Sequence, residues 1–181
     1  MVLVAILPPD HVQELAYRAQ DDLFRRYGLT STRALPPLIP VGHRDPAADG
    51  FPPGALTATT SVLPPFQIAS VCVRDGHLIA ETTLDAACAR LADSLGLSHP
   101  GESARRGEPA LPRGSLFLGE TEDSPLIGAN PLGAAALYSG LIRSASLIQI
   151  EIATNPSTTG WWHSVRWCIT ETHRLRQSRP V

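Results

Sequence analysis

The sequence predicts an α+β protein, and three observations carry that prediction. Apolar runs of strand length alternate with amphipathic helical segments, a two-residue turn signal separates two of the runs, and two more runs follow each other near the end. The 181 residues, 43% hydrophobic and 18% charged, suffice for one core. We therefore expect residues 1–181 to form a single domain, with helices packed on the outside of antiparallel sheets.

The first predicted elements are a strand and a helix. Residues 2–7 form an apolar run of strand length. Asp10 is a helix-capping residue with Gln13 three positions later, and Gly28 is a typical stop, which predicts a helix between them. A second strand is predicted over residues 35–42, where prolines remove backbone donors and favour the edge of a sheet.

A hairpin follows a long loop. Residues 43–65 are rich in proline and predict an extended, irregular loop. The strands predicted over residues 66–73 and 77–81 flank Asp75-Gly76, and this dipeptide supplies the positive φ angles that a type I′ turn needs.

The remaining elements are predicted from caps, stops and alternation. They are a helix capped by Thr83 and stopped by Gly96, a strand over 115–119, a helix over 130–141 started by Asn130-Pro131, and a hairpin of strands 146–152 and 164–170. The polar tail, residues 172–181, is expected to fray.

Targeting, membrane and polyanion-binding classes are disfavoured. The apolar run over residues 1–7 is only as long as a strand, lacks the basic n-region of a signal peptide and is followed by Pro8-Pro9. We therefore expect no signal peptide, no membrane partner and a cytoplasmic protein. A net charge of -2 argues against sequence-independent binding to a nucleic-acid backbone.

Metal and cofactor signatures are also missing from the sequence. The cysteines are far apart in apolar runs, which predicts reduced core thiols, and the tryptophans are expected to pack in the core or on a sheet face. No spacing is typical of metal ligands, and no glycine loop is typical of a nucleotide cofactor, so we expect neither. The residues concerned are Cys72, Cys88, Cys168, Trp161, Trp162 and Trp167.

The segment VAILPPDHVQELAYRAQDDLFRRYGL resembles the first strand and helix of the 2H phosphoesterases, which include bacterial 2′-5′ RNA ligase and cyclic nucleotide phosphodiesterases. The resemblance extends over nearly the whole chain and implies a pseudo-symmetric fold of two intertwined lobes. In that family each lobe supplies one strand with His-x-Thr or His-x-Ser. The two histidines act as acid and base at a 2′,3′-cyclic phosphate, and the hydroxyls hold phosphate oxygens.

The motif positions carry other residues in this chain. The resemblance places Pro37 and Ile39 at the first His and Thr/Ser positions, and Arg113 and Ser115 at the second. An arginine is effectively never deprotonated, so it cannot act as a general base, although it can bind phosphate through two nitrogens. We therefore expect the family reaction to be lost, and we expect Arg113 and Ser115 to be ligand-binding residues.

Three hypotheses for function follow. The first is a catalytically degenerate 2H-like protein that binds a phosphorylated nucleotide or an RNA end in the groove between the lobes. The second is an altered phosphoesterase in which His43, expected where the second strand passes into the loop, or a carboxylate in the groove replaces the lost histidines. The third is a non-catalytic scaffold or assembly subunit, with a protein partner or a second copy bound at residues 43–65.

Overall fold

The computed structural model describes residues 1–44, 54, 56, 62–98, 109–122, 128 and 130–177. Within these ranges the chain forms two four-stranded antiparallel sheets, one two-stranded parallel pair and two α-helices. The predicted α+β class is therefore confirmed.

The strands are, in chain order, β1 (Val2–Leu7), β2 (Ile39–Arg44), β3 (Val62–Leu63), β4 (Phe66–Arg74), β5 (His77–Thr82), β6 (Leu116–Glu120), β7 (Tyr138–Ile142), β8 (Ser146–Ala153), β9 (Arg166–Arg174) and β10 (Arg176–Gln177). The helices are α1 (Asp10–Tyr27) and α2 (Asp85–Leu95), with 3₁₀-helices at Thr30–Arg33 and Trp161–His163. The first sheet has the order β2-β1-β8-β9 and the second β6-β5-β4-β7, while β3 pairs with β10.

Helix α1 has the predicted end and a different start. Gly28 closes it with φ 73°, and the Gly28 amide donates to the carbonyl of Phe24 at 2.8 Å. Asp10 is the first helical residue rather than the cap, because Pro9 holds the cap position and offers no side-chain acceptor. The Gln13 side-chain amide instead donates to the carbonyl of Pro8 at 2.7 Å.

The two predicted hairpins are both present. Asp75 and Gly76 have φ 49° and 83°, so the turn between β4 and β5 has the left-handed conformation that the dipeptide predicts. Strands β8 and β9 pair antiparallel as expected.

Several predicted boundaries were wrong. Residues 130–141 do not form a helix, because the chain turns through Gly133 at φ 93° and then enters β7. Thr83 does not cap α2, since it is the hydroxyl of Thr82 that accepts from the Leu84 amide just before the helix. The second strand lies four residues later than predicted at its start. The tail that was predicted to fray, residues 172–181, contains the end of β9 and then β10, which ends at residue 177.

The long predicted loop lies largely outside the described residues. Of the predicted loop 43–65, the first two residues belong to β2 and residues 62–63 form β3. Cys88 is buried as predicted, whereas Cys168 is exposed on β9, so that part of the thiol prediction was wrong. Trp161 is buried, but Trp167 is 43% exposed.

The first sheet contacts the segment that follows α2, and the second sheet contacts the segment that follows α1. A Cβ on Gly42 of β2 would lie 2.9 Å from the carbonyl oxygen of Ser98, which follows α2. A Cβ on Gly119 of β6 would lie 2.9 Å from Cγ2 of Thr32, which follows α1. One cluster of buried apolar side chains accordingly includes residues from both sheets and both helices.

Candidate functional site

The two motif segments lie side by side. The amide of Phe117 donates to the carbonyl of Leu38 at 2.9 Å, and the amide of Gly114 donates to the carbonyl of Pro40 at 3.0 Å. Leu38 and Phe117 thereby form an antiparallel bridge between the edge strands of the two sheets. Residues that are more than seventy positions apart in sequence are thus brought together at one place.

The first motif contributes only apolar, enclosed side chains. Pro37 is buried, and Ile39 is 0% exposed in the core, opposite Ile6 of β1. A proline and an isoleucine neither transfer a proton nor donate to phosphate. This half of the site is therefore packed rather than reactive.

His43 is the last residue but one of β2, close to the end of the strand as expected from the sequence. It is 6% exposed, and its backbone exchanges two hydrogen bonds with Ser98. Val41 is an extra residue in β2, because Val4 pairs with Gly42 while Ala5 pairs with Pro40.

This bulge determines which face of the sheet His43 occupies. Directly opposed residues share a face, and His43 opposes Leu3 whereas Ile39 opposes Ile6. The His43 side chain is consequently on the opposite face from the Ile39 motif position.

The second motif rests on the N-terminus of α2. Gly114 has φ 72°, and a Cβ there would lie 2.7 Å from Cα of Asp85, the first residue of the helix. The hydroxyl of Thr82 donates to the carbonyl of Gly114 and accepts from the amide of Leu84. Only glycine fits this approach, so Gly114 fixes the position of its neighbours Arg113 and Ser115.

Among the described residues, Asp85 supplies the carboxylate beside Arg113. Its Nε lies 3.6 Å from Oδ1 of Asp85 and has no hydrogen-bond partner within the described part of the chain. The Arg113 side chain is 22% exposed and the Asp85 side chain 74%. The pKa of the nearby Cys88 thiol is raised to about 12, first by burial and then by the charge of Asp85, while the charge of Arg113 acts in the opposite direction. The cation is thus close to solvent but without a hydrogen bond from Nε.

A cavity of about 440 Å³ opens beside this helix terminus. Its wall includes Gln67, Glu81, Thr82, Thr83 and Tyr138, so amide, carboxylate, hydroxyl and aromatic groups line it, and Arg113 is not part of the wall. A separate cavity of about 500 Å³ lies at β8 and β9, away from both motifs.

A buried polar cluster surrounds Glu120, which was not among the site residues predicted from the sequence. His77 Nδ1 lies 2.7 Å from Oε2 of Glu120, and the indole of Trp161 donates to Oε1 of Glu120 at 3.1 Å. The hydroxyl of Ser31 also bonds the backbone of Glu120. His77 begins β5 and Glu120 ends β6. An antiparallel pairing of these two strands places the two residues opposite each other, and recognising that pairing was the way to find the cluster from the sequence.

Metal and membrane features are absent within the described ranges. No three His, Cys, Asp or Glu side chains there form a set that could hold a metal ion. No helix in the same part of the chain is long and apolar enough to cross a membrane.

The fold and the second motif define a mixed α+β protein with two antiparallel sheets joined at their edge strands. A solved structure of similar fold is the crystal structure of TT0787 of Thermus thermophilus, with a TM-score of 0.56, 14% identity, and coverage of 98% of this chain and 99% of that chain. At this identity the likeness concerns the fold alone. Neither a protein-family model nor a curated protein sequence matches the chain.

Proposed function

We propose that this protein is a catalytically degenerate relative of the 2H phosphoesterases that binds a phosphate-ended nucleotide or RNA without turning it over. The observation that carries the proposal is the geometry of the second motif. Arg113 is held by Gly114 at the N-terminus of α2, and its side chain is partly exposed, while its buried Nε has no hydrogen bond in the described part of the chain.

The finer fold is part of the proposal. In each sheet a strand, a helix and the neighbouring antiparallel strand follow one another, as β1-α1-β2 and as β5-α2-β6. Both edge strands carry an extra residue directly before a glycine, Val41 before Gly42 and Leu118 before Gly119. These correspondences support the two pseudo-symmetric lobes that the sequence resemblance implies.

The helix terminus and the arginine favour the same ligand chemistry. Backbone amides of the first turn of α2 and the positive end of its dipole attract an anion. The Arg113 guanidinium adds a charge and a planar donor set that match phosphate oxygens. The cavity beside Thr82 and Thr83 lies within the volume range that small-molecule ligands occupy, and Tyr138 in its wall offers an aromatic surface for a base.

Loss of turnover follows from the side chains at the motif positions. In-line cleavage near neutral pH needs a proton donor and a proton acceptor on opposite sides of the phosphate. Pro37, Ile39 and Arg113 supply neither role. The altered-enzyme alternative through His43 has less support, because the bulge in β2 turns that side chain onto the other face from Ile39.

Asp85 makes the binding proposal testable in both directions. Its carboxylate is the internal counter-ion beside Arg113, and a phosphate would compete with it. In calorimetric titration with a 3′-phosphomononucleotide, Arg113→Ala should weaken binding by roughly tenfold or more, the scale of a charge-assisted hydrogen bond. Asp85→Asn should strengthen binding severalfold because it removes the competing charge.

The control variants make the same changes of charge at other positions of α2. Arg90→Ala and Asp93→Asn alter exposed residues of α2 by the same charges and should leave affinity within about twofold, since exposed charges are largely screened. If Arg113→Ala and Arg90→Ala weakened binding equally, the loss of affinity would come from net charge alone. Arg113 would then not contact the phosphate. Absence of binding by the unaltered protein would leave the scaffold hypothesis in its place.

A further inference from the structure

Strand β9 has a long outer edge with exposed apolar side chains. It is the last strand of the first sheet, and no described strand pairs with its outer side. Trp167 is 43% exposed and Ile169 is 41% exposed, with the exposed Cys168 between them. An open edge of this kind pairs readily with another strand, and monomeric proteins normally protect it with charges or prolines.

The backbone groups that point outward can be assigned from β8. Met1 and Ile152 exchange two hydrogen bonds, so the amide and carbonyl of Ile152 point toward β1. Backbone direction alternates along an antiparallel strand, and the neighbouring Glu151 therefore bonds its partner Cys168 in β9. By the same alternation the amides and carbonyls of Trp167 and Ile169 point to the open edge.

We propose that the occupant of this edge is a second copy of the chain, paired antiparallel through β9 about a two-fold axis, with Cys168 facing Cys168 of the other copy. A two-fold axis normal to the sheet passes through one residue pair, and that residue then opposes itself. The four-stranded sheet β2-β1-β8-β9 of one copy would join the same sheet of the other copy, forming one continuous sheet of eight strands.

The irregularity in β9 restricts the register. Gln149 pairs with Glu171 while Ile150 pairs with Ile169, so Thr170 is an extra residue that interrupts the edge. A register centred on Ile169 or Thr170 would place this bulge inside the new interface. The regular part of the edge is residues 166–169, and the axis belongs within it.

Side-chain complementarity selects among the remaining registers. Centring on Cys168 sets Trp167 against Ile169 of the second copy on both sides of the axis, and leaves the bulge residue Thr170 at the end of the paired stretch. Centring on Trp167 would match Ile169 with Val165, which lies outside β9. The Thr170 register would place Arg166 opposite Arg174, and like charges directly opposite are unfavourable.

The dimer is expected to be weak, because a few strand residues bury an area at the low end for specific interfaces. In sedimentation velocity the mean mass should rise with protein concentration. Ile169→Lys should raise the dissociation constant at least tenfold, because the ammonium would be desolvated against Trp167. Leu141→Lys alters an equally exposed residue, at 43%, on β7 of the other sheet and should leave the constant unchanged.

A cross-link tests the register independently of that substitution. In an outward non-hydrogen-bonded pair the two Cα atoms are about 4.5 Å apart, within the range of a disulfide. Mild oxidation should join two copies, with the two Cys168 thiols giving two hydrogens to the added oxidant and forming one S–S bond. Moving the thiol by Cys168→Ser with Thr170→Cys should abolish the cross-link, since residue 170 lies at the end of the paired stretch, on the opposite side of the axis from residue 170 of the other copy.

Three results would overturn the proposal. The first is a monomer at every protein concentration, and the second is equal weakening of the dimer by Leu141→Lys and Ile169→Lys. The third is a cross-link that is absent with Cys168 and forms when the thiol is moved to residue 170. Failure here would leave the phosphate-binding proposal intact, since β9 contributes no residue to the second motif.

Discussion

The amide of Phe117 donates to the carbonyl of Leu38 across 2.9 Å, and through this bond the two segments that the resemblance identifies as catalytic strands become direct neighbours. The two segments are thus adjacent, although neither carries the histidine of the His-x-Thr or His-x-Ser motif. Ile39, one residue after Leu38, is completely enclosed in the core. The packing of this half of the site has consequences for stability that can be measured.

Returning a hydroxyl to the first motif should destabilise the protein. Ile39→Thr places a polar group in a fully buried apolar position, which costs about 1–3 kcal/mol beyond the lost packing. Ile39→Val removes one methylene group without adding polarity and should cost about 0.5–1.5 kcal/mol. Urea unfolding of the two variants measures the difference. Equal stability of the two variants would mean that the site is open to water and not packed.

Gly42 and Gly119, which lie against the segments that follow the helices, should both resist a methyl group. Gly42→Ala and Gly119→Ala bring Cβ within 2.9 Å of Ser98 O and Thr32 Cγ2, and relieving such overlap costs about 1–3 kcal/mol. Gly128→Ala meets nothing within 4 Å and serves as the control. Thermal unfolding should show lower midpoints for the first two variants alone. Unchanged midpoints in those two would show that the segments after α1 and α2 do not approach the strands this closely.

The buried cluster around Glu120 should depend on every member. Trp161→Phe keeps an aromatic ring but removes the donor to Oε1 of Glu120, which leaves a buried carboxylate oxygen unpaired and should cost about 1–3 kcal/mol. In a double-mutant cycle with Glu120→Gln the two effects should be clearly non-additive, since both residues belong to one network. Additive costs would show that the indole and the carboxylate do not interact.

Alkaline pH should destabilise the fold through Cys88. Its pKa in the folded protein is raised to about 12 by burial and then by Asp85, against an ordinary value of 9.0. Below pH 9.0 both states keep the proton and the stabilisation is complete. Above it the unfolded thiol ionises first, so the free energy of unfolding falls by about 1.4 kcal/mol per pH unit toward the folded pKa.

The Cys88→Ala variant isolates that contribution. Stability measured from pH 8 to pH 11, roughly spanning the ordinary thiol pKa, should fall less steeply in the variant than in the parent protein. Identical slopes would place the Cys88 thiol in contact with water. Thiol labelling at mild pH should likewise modify Cys168 and spare Cys88.

Local signals in the sequence were sufficient for the elements that depend on local chemistry. The Asp75-Gly76 turn and the stop at Gly28 were predicted because each needs a left-handed backbone conformation at a particular residue. The helix over residues 130–141 was wrong, because Asn130-Pro131 is as good a turn as a helix start and Gly133 takes φ 93°. Tertiary pairing then made the end of that segment a strand.

The candidate site was harder to predict because it depends on long-range pairing. Nothing local in the sequence shows that Leu38 lies beside Phe117, or that His77 meets Glu120 forty-three positions away. The direction of His43 depends on one extra residue, Val41, which strand alternation ignores. A one-residue irregularity of this kind moves a side chain to the other face of a sheet.

The most direct measurement is turnover of 2′,3′-cyclic mononucleotides and of RNA ending in a cyclic phosphate by the purified protein, with Arg113→Ala and His43→Ala assayed beside it. The account predicts no product above the buffer blank for all three proteins, together with binding of the monophosphate that Arg113→Ala weakens. Turnover by the unaltered protein that His43→Ala abolishes would contradict it, because a catalytic histidine would then act from the face on which Leu3 lies.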